Sequence, residues 1–395
     1  MILAHPVFHP IRPEIVLLRP GAELDRFGIP RLKELGVHEV WIRYPGMEKL
    51  IEFVNPKIVD AYRGLINQMG LTLDAAMVGS QAHLEYGTFR FAMVQLLHEV
   101  AADQKASALI GEVVRGSKPF MRHAGSTCLL SILLGLRTDH YICHERSRMG
   151  VTTPKDFAAL GVGAMFHDIG LLKLDPRVLA EWSKTRDESD TLWRHHVQTG
   201  FNMVRESIDP CAAAVVLHHH QRVDGSGFPS RRHISGTDIP VSGSHIHIFA
   251  RIAAVADVFD RLHYPAHLPG ETELPGLPTV RVLAELQRPP YTHILDATVL
   301  QALHDVAAPY PPGLVVTLSD GREAAVVNWS RKNPCRPTVM PLGDVTRMSR
   351  RDDAIPEPID LAENPELSIS KVQDVDVSLD NYPPPALIPR IPTMT

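Results

Sequence analysis

Four short segments follow one another in order through the middle of the chain: His167-Asp168-Ile169-Gly170, His196-Val197-Gln198-Thr199-Gly200, His218-His219-His220-Gln221 and Val255-Ala256-Asp257. Histidine and aspartate ligate borderline-hard divalent metals through nitrogen and oxygen. A lone His-Asp pair carries little weight in a chain with 21 histidines, but an ordered set carries much more. Adjacent helical residues point about 100° apart, so His167 and Asp168, or His219 and His220, can reach different ions around one pocket. An aspartate has two oxygens and can bridge two ions, the role expected of Asp168. Two metals roughly 3.5–4 Å apart activate water and clamp a phosphate for in-line displacement, so the chemistry of such a set is phosphoester hydrolysis. Cys128, Cys143, Cys211 and Cys335 are scattered without a CxxC pair, which speaks against structural zinc and for a reducing compartment.

These residues need helices that converge, because bundles build metal sites where facing helices meet. From about residue 85 to 310 the apolar spacing is helical, with helices expected over 88–115, 119–136, 155–166, 190–206, 209–219, 247–262, 279–287 and 296–306. Asp209-Pro210 reads as an N-cap followed by proline at the first helical position. Residues 1–80 read as a small α/β unit, with a helix over 29–35 and a strand over 37–42. After Pro309-Tyr310-Pro311-Pro312-Gly313 the period changes to two, so residues 311–348 form a small β appendage: a hairpin over 314–318 and 323–327, then a strand over 337–340. The acidic, proline-rich segment 349–395, with Asp352, Asp353, Glu357, Asp374, Asp376 and Pro383-Pro384-Pro385, has too little apolar content for a core and is expected to be largely disordered. The fold class is mainly α.

Forty basic against 45 acidic residues, a net charge of -5, give no electrostatic footprint for a nucleic-acid polymer or a membrane surface. No apolar run approaches the roughly 18–20 residues of a membrane span, and the first residues lack the regions of a signal peptide. A cytoplasmic protein is expected.

His167-Asp168-Ile169-Gly170 and His219-His220-Gln221 with Asp224-Gly225-Ser226-Gly227-Phe228-Pro229 resemble the signatures of the HD-GYP branch of the HD metal-dependent phosphohydrolases. The similarity runs over about residues 119–310. It implies an all-helical HD-type bundle, a cyclic di-GMP phosphodiesterase activity in bacterial signalling, and two divalent ions, iron or manganese. It implies ligand roles for His167, Asp168, His196, His219, His220 and Asp257, and for one further histidine on the first helix. His144 lies nearer to His167 than the family's spacing and His123 farther. A loop absorbs an insertion at small entropic cost, whereas a deletion removes helical turns, so His123 is preferred and 137–155 becomes a lengthened connection.

The pattern also departs from the family. Pro119 stands where a glutamate for a third metal is common, so two metals are expected. Leu171 replaces a lysine, leaving Lys173 as the nearby catalytic candidate. Gln221 replaces glutamate, Phe228 replaces tyrosine, and His263-Tyr264-Pro265-Ala266-His267 replaces an arginine-bearing segment. Substrate contacts are assigned to amides near Gly225 and Gly227 and to Arg222 and Arg251, with Arg231 as a further source of positive charge. Asp260, on the same helical face as Asp257, is expected to orient a histidine. His195 and His218 are expected beside the ligands, and His245 and His247 in an exposed loop. Beside a phosphodiesterase, two readings stay open: a signalling adaptor that binds metal and nucleotide with little turnover, and an HD hydrolase of another nucleotide phosphoester. A cyclic dinucleotide is the expected ligand, with a signalling protein or a second copy as protein partner.

Overall fold

The computed structural model describes residues 2–9, 12, 15–37, 40–44, 46–53, 55–78, 85–103, 119–148, 156–232, 234–272, 274–343 and 356–383. The second half of the helix expected over 88–115, Lys155, Asp352, Asp353 and the prolines after Pro383 lie outside these residues. The chain forms two units, one of Met1–Tyr44, Ile51–Leu277 and Leu286–Val306, the other of Pro45–Leu50, Pro278–Glu285 and Ala307–Thr395.

The first unit is helical: α1 (Gly28–Glu34), α2 (Pro56–Val78), α3 (Tyr86–Ala102), α4 (Pro119–Arg137), α5 (Asp139–Arg148), α6 (Phe157–Met165), α7 (Pro176–Thr185), α8 (Thr191–Val204), α9 (Pro210–His218) and α10 (Ile248–His263). It is completed by α12 (Tyr291–Ile294) and α13 (Ala297–Val306); α11 (Thr279–Leu286) falls almost wholly in the second unit. Aspartate side chains start four of these helices: Asp156 accepts from Ala158 N, Asp175 from Arg177 N, Asp190 from Leu192 N and Trp193 N, and Asp209 from Cys211 N. Each cap is worth about 1 kcal/mol. α6 is the hub. All of its residues from Ala158 to Met165 are buried, and it packs on α3, α4 and α9. α10 packs in turn on α4 and α9. These helices pack around α6 and the turn that follows it.

Several expectations change. The segment 37–42 is not a strand among its described residues; Ile42 makes only an isolated bridge to Leu3, beside the short pair β1 (Val7–Phe8) and β2 (Val16–Leu18). Residues 56–78 instead form a long helix. The described part of the 137–155 connection is also helical, as α5. His247 is not an exposed loop residue; its ring accepts from Phe249 N and caps α10. β3 (Arg231–Arg232) and β4 (Asp238–Ile239) form a small hairpin before that helix.

The second unit holds a six-stranded antiparallel sheet in the order β10-β9-β5-β6-β7-β8, from β5 (Val315–Leu318), β6 (Glu323–Asn328), β7 (Thr338–Pro341), β8 (Ile359–Asp360), β9 (Ile369–Val372) and β10 (Val375–Asp376). Val316, Leu318, Ala324, Val326 and Val339 alternate onto one face, where Val280, Tyr310, Leu361, Ile369, Val372 and Val377 complete a core. The segment expected to lack structure thus supplies three strands over its described residues. Arg336 pins it by donating to the carbonyls of Leu361, Asn364 and Leu367, and Tyr310 donates to Asn381. Among the described residues no single helix is long and apolar enough to cross a membrane.

Candidate metal centre

Five elements of the helical unit contribute to the centre. His123 comes from α4, His167 and Asp168 from the turn after α6, His196 from α8, His219 and His220 from the C-terminus of α9, and Asp257 from α10. All seven side chains are buried. They fall into two sets, Asp168 with His196, His219 and His220, and His123 with His167 and Asp257, each with ligand atoms within 4.8 Å of one another. Asp168 stands between the sets. Its Oδ1 lies 3.4 Å from both His196 Nε2 and His219 Nε2. Its Oδ2 lies 3.3 Å from His167 Nε2 and 3.6 Å from His123 Nε2.

The outer nitrogens decide what the inner ones can do. Nδ1 of His167, His196 and His219 sits 2.7, 2.7 and 3.0 Å from the carbonyls of Ala164, Trp193 and Val216, each three residues back on its own helix. A carbonyl only accepts, so Nδ1 carries the proton and Nε2 presents a lone pair inward. His123 Nδ1 has the same arrangement with Asp260, at 2.7 Å, so the carboxylate one turn after Asp257 orients a ring. The inward atoms have nothing to bond: His196 Nε2, His219 Nε2, His220 Nε2 and Asp168 Oδ1 are buried without a hydrogen-bond partner. His123 Nε2 and His167 Nε2 lie 3.1 Å apart. Orphaned buried acceptors are costly, and a divalent ion in each set satisfies them, so the residues fit two such ions.

Electrostatics agree. Burial pushes His219 down to about 4 and His220 well below the ordinary value, which keeps both rings in the neutral form a ligand needs. Burial alone would raise Asp168, but the facing histidines His167, His196 and His219 outweigh it and hold the carboxyl well below its usual range. Burial likewise works against a proton on His123, yet hydrogen bonds that it donates to the Asp257 and Asp260 carboxylates lift it to about 9. The carboxylates at that end thus favour positive charge.

Backbone proximity sets the position of His196 against the His167-Asp168 turn. A Cβ on Gly170 would lie 2.0 Å from the His196 carbonyl oxygen and 2.6 Å from Gly200 N. Gly170→Ala is therefore expected to push α8 away, destabilising the fold by about 1–3 kcal/mol and lowering metal content. Thermal unfolding with elemental analysis checks this, and unchanged values in both would refute the close approach.

The other assigned residues fare differently. His144 has a side chain 67% exposed on α5 and lies apart from the centre, whereas His123 is within it. Arg251 is no phosphate ligand: its buried guanidinium pairs with Glu145 and Asp296. Gly225 takes a φ of 85° in its turn. A Cβ on Gly227 would lie 2.4 Å from Arg222 N, so this glycine lets the loop pack on the backbone after His220. Neither glycine nor Lys173 is among the residues lining the cavity beside the centre. Leu171 is core, Gln221 donates to Pro229 O and closes the loop, and Phe228 stacks on His220 with ring centroids 4.8 Å apart. Arg231 is exposed on β3, and His195 is exposed with its Nδ1 on Thr191 O.

Arg222 does line that cavity, of about 400 Å³, together with His219, His220, Asp257, Arg186, Glu188, Arg261 and His267. Arg186, Glu188, Arg261 and His267 carry no short motif. The one signal for Arg261 is its place one turn after Asp257, to which it pairs at 3.0 Å. Arg122 was also missed; it donates to Ala266 O and lies over the Tyr264 ring, tying the 263–267 segment to α4.

A helical bundle with two His/Asp sets joined by one aspartate defines an HD domain, and residues 147–271 match the HD domain family. Residues 315–377 match the KOW domain associated with HD domains. The chain is 25% identical to the cyclic di-GMP phosphodiesterase PA4108 of Pseudomonas aeruginosa over 81% of its own length and 77% of that protein. It is 33% identical to the 3'3'-cGAMP-specific phosphodiesterase 2 of Vibrio cholerae over 24% of its length and 17% of the relative. It is 34% identical to a cyclic di-GMP phosphodiesterase of Thermotoga maritima over 25% of each. Residues 147–271 thus carry an HD domain, and most of the chain is similar to a relative named as a cyclic di-GMP phosphodiesterase.

Proposed function

We propose that the chain is a metal-dependent phosphodiesterase that hydrolyses cyclic di-GMP. The observation that carries this reading is Asp168, whose two oxygens face two separate ligand sets beside a cavity of about 400 Å³. Asp168, His196, His219 and His220 would hold one divalent ion, and Asp168, His123, His167 and Asp257 the other. A mixture of imidazole and carboxylate donors without thiolate suits iron or manganese. When bound, such ions supply Lewis acidity toward a phosphodiester and make a water nucleophile available at neutral pH. The chain's own part is to hold the ligands rigid. The Nδ1 bonds fix four rings, Asp260 locks His123, and Phe228 packs on His220. Arg222, at the cavity wall, supplies positive charge for the phosphate. The departures at Leu171, Gln221 and Phe228 fill packing and loop-closing roles and remove no ligand, which favours turnover over a binding-only adaptor.

Purified protein loaded separately with manganese and with iron(II) is expected to bind two ions per chain and to convert cyclic di-GMP to its linear dinucleotide. 3'3'-cGAMP serves as the competing substrate. Faster turnover of 3'3'-cGAMP would replace the substrate assignment, and bound metal without hydrolysis of either would defeat the phosphodiesterase reading.

A further inference from the structure

Besides His219, His220 and Asp257, the cavity is lined by Arg186, Arg222 and Arg261, and Arg261 Nη2 pairs with Asp257 at 3.0 Å. Glu188 is shared by two of these, its Oε2 2.7 Å from Arg222 Nη2 and its Oε1 2.9 Å from Arg261 Nη1. Arg186 Nη2 pairs with Glu271 at 2.7 Å. Three guanidiniums thus face two carboxylates outside the ligand sets, an excess of one positive charge, and a phosphodiester carries one negative charge. Arg186 Nη1 and Arg261 Nε have no hydrogen-bond partner among the described residues. The Arg186 and Arg222 side chains remain about one-third exposed, 33% and 34%, where they line the cavity.

The backbone at Arg186 adds an independent observation. It follows α7 with a φ of 52°, a left-handed position that glycine or asparagine fills at lower cost. An arginine is held there against backbone preference. Its guanidinium lies 5.0 Å from the centre of the Trp182 ring, and Trp182 stacks on Trp193 at 4.4 Å, so the charge rests on a rigid platform.

We propose that Arg186, with Arg222 and Arg261, forms a subsite for the phosphodiester that is not the one at the ligand sets. This rests on the phosphodiesterase reading above. A cyclic dinucleotide has two phosphodiesters, and when one is at the ligand sets the other needs a counter-charge elsewhere. Arg186 and Arg222 supply it from parts of the chain distinct from the arginine-bearing segment that His263–His267 replaces, and Arg261 lies just before that segment.

The test is calorimetric binding of the phosphorothioate analogue of cyclic di-GMP to the manganese-loaded full chain, alongside steady-state kinetics on cyclic di-GMP. Arg186→Asn suits the left-handed backbone and removes the guanidinium. It is expected to weaken Kd by on the order of 10- to 100-fold, the loss of one or two charge-assisted hydrogen bonds. KM should rise with kcat little changed, at unchanged manganese content and an equal or higher Tm. Arg186→Lys should recover part of the affinity. Should Arg186→Asn fail to fold, Arg186→Gly, which also suits the left-handed backbone, is read in its place. An unchanged Kd in the folded variant overturns the subsite while wild-type turnover keeps the phosphodiesterase. Wild-type protein that neither binds the analogue nor hydrolyses cyclic di-GMP overturns both.

Discussion

Asp168→Ala is expected to abolish turnover and to empty both halves of the centre together. Its two oxygens reach both sets: Oδ1 is 3.4 Å from His196 and His219, and Oδ2 is 3.3 Å from His167. Without it, each set keeps its imidazoles but loses the anionic charge that they share. The metals supply several kcal/mol of transition-state stabilisation, so kcat/KM on cyclic di-GMP should fall by at least about 10³-fold. Elemental analysis should show metal content falling in parallel. Asp168→Asn sharpens the test, because its single carbonyl oxygen can serve one set only and should leave one ion at most. An alanine variant with full metal content and full activity would mean that the aspartate does not join the sets.

The second large effect concerns stability. Arg251→Ala is expected to cost about 3–5 kcal/mol in denaturant unfolding, because it leaves the buried carboxylates of Glu145 and Asp296 without their guanidinium counter-charge. The three side chains are 5–6% exposed, and Arg251 Nη1 donates to Asp296 Oδ2 at 2.6 Å and contacts Tyr141 Oη at 2.8 Å. Asp296 also accepts from Thr298 N and Val299 N at the start of α13, so the loss spreads to that helix. Replacing Arg251 and Glu145 together by leucine should recover part of the loss. A stable Arg251→Ala protein with a raised KM would return this arginine to the substrate.

What the sequence discloses and what it hides follow from how far each feature depends on distant residues. His167-Asp168 and His219-His220 are legible because each pair sits where an apolar helical run ends, and such a pair at such a point has few other uses. His123 could be preferred over His144 because chain insertions are cheap and helix deletions are not. Arg251 was misread although its neighbours gave a warning: Ile248 and Val255, three residues before and four after it, lie on the same helical face and are buried. An arginine on that face needs buried carboxylates, and nothing local names Glu145 or Asp296. Glu188 and Arg186 were invisible for the same reason, being joined to the cavity only by tertiary packing. The strands at 359–360, 369–372 and 375–376 escaped because each is too short for a periodic pattern, and much of their order comes from Arg336 and neighbouring strands.

The order in which the chain visits its two units has a practical meaning. It leaves the helical unit at Pro278, contributes Val280 to the sheet unit's core and Arg281 to an ion pair with Asp380, and returns at Leu286 for α12 and α13. No single break in the gene separates them. A stop codon after Val306 would keep Val280 while deleting Tyr310, Leu361 and Val377, the apolar groups it packs with. The sheet unit is thus stitched into the reading frame of the helical one, and a truncation that removes its strands leaves Val280 without its packing partners.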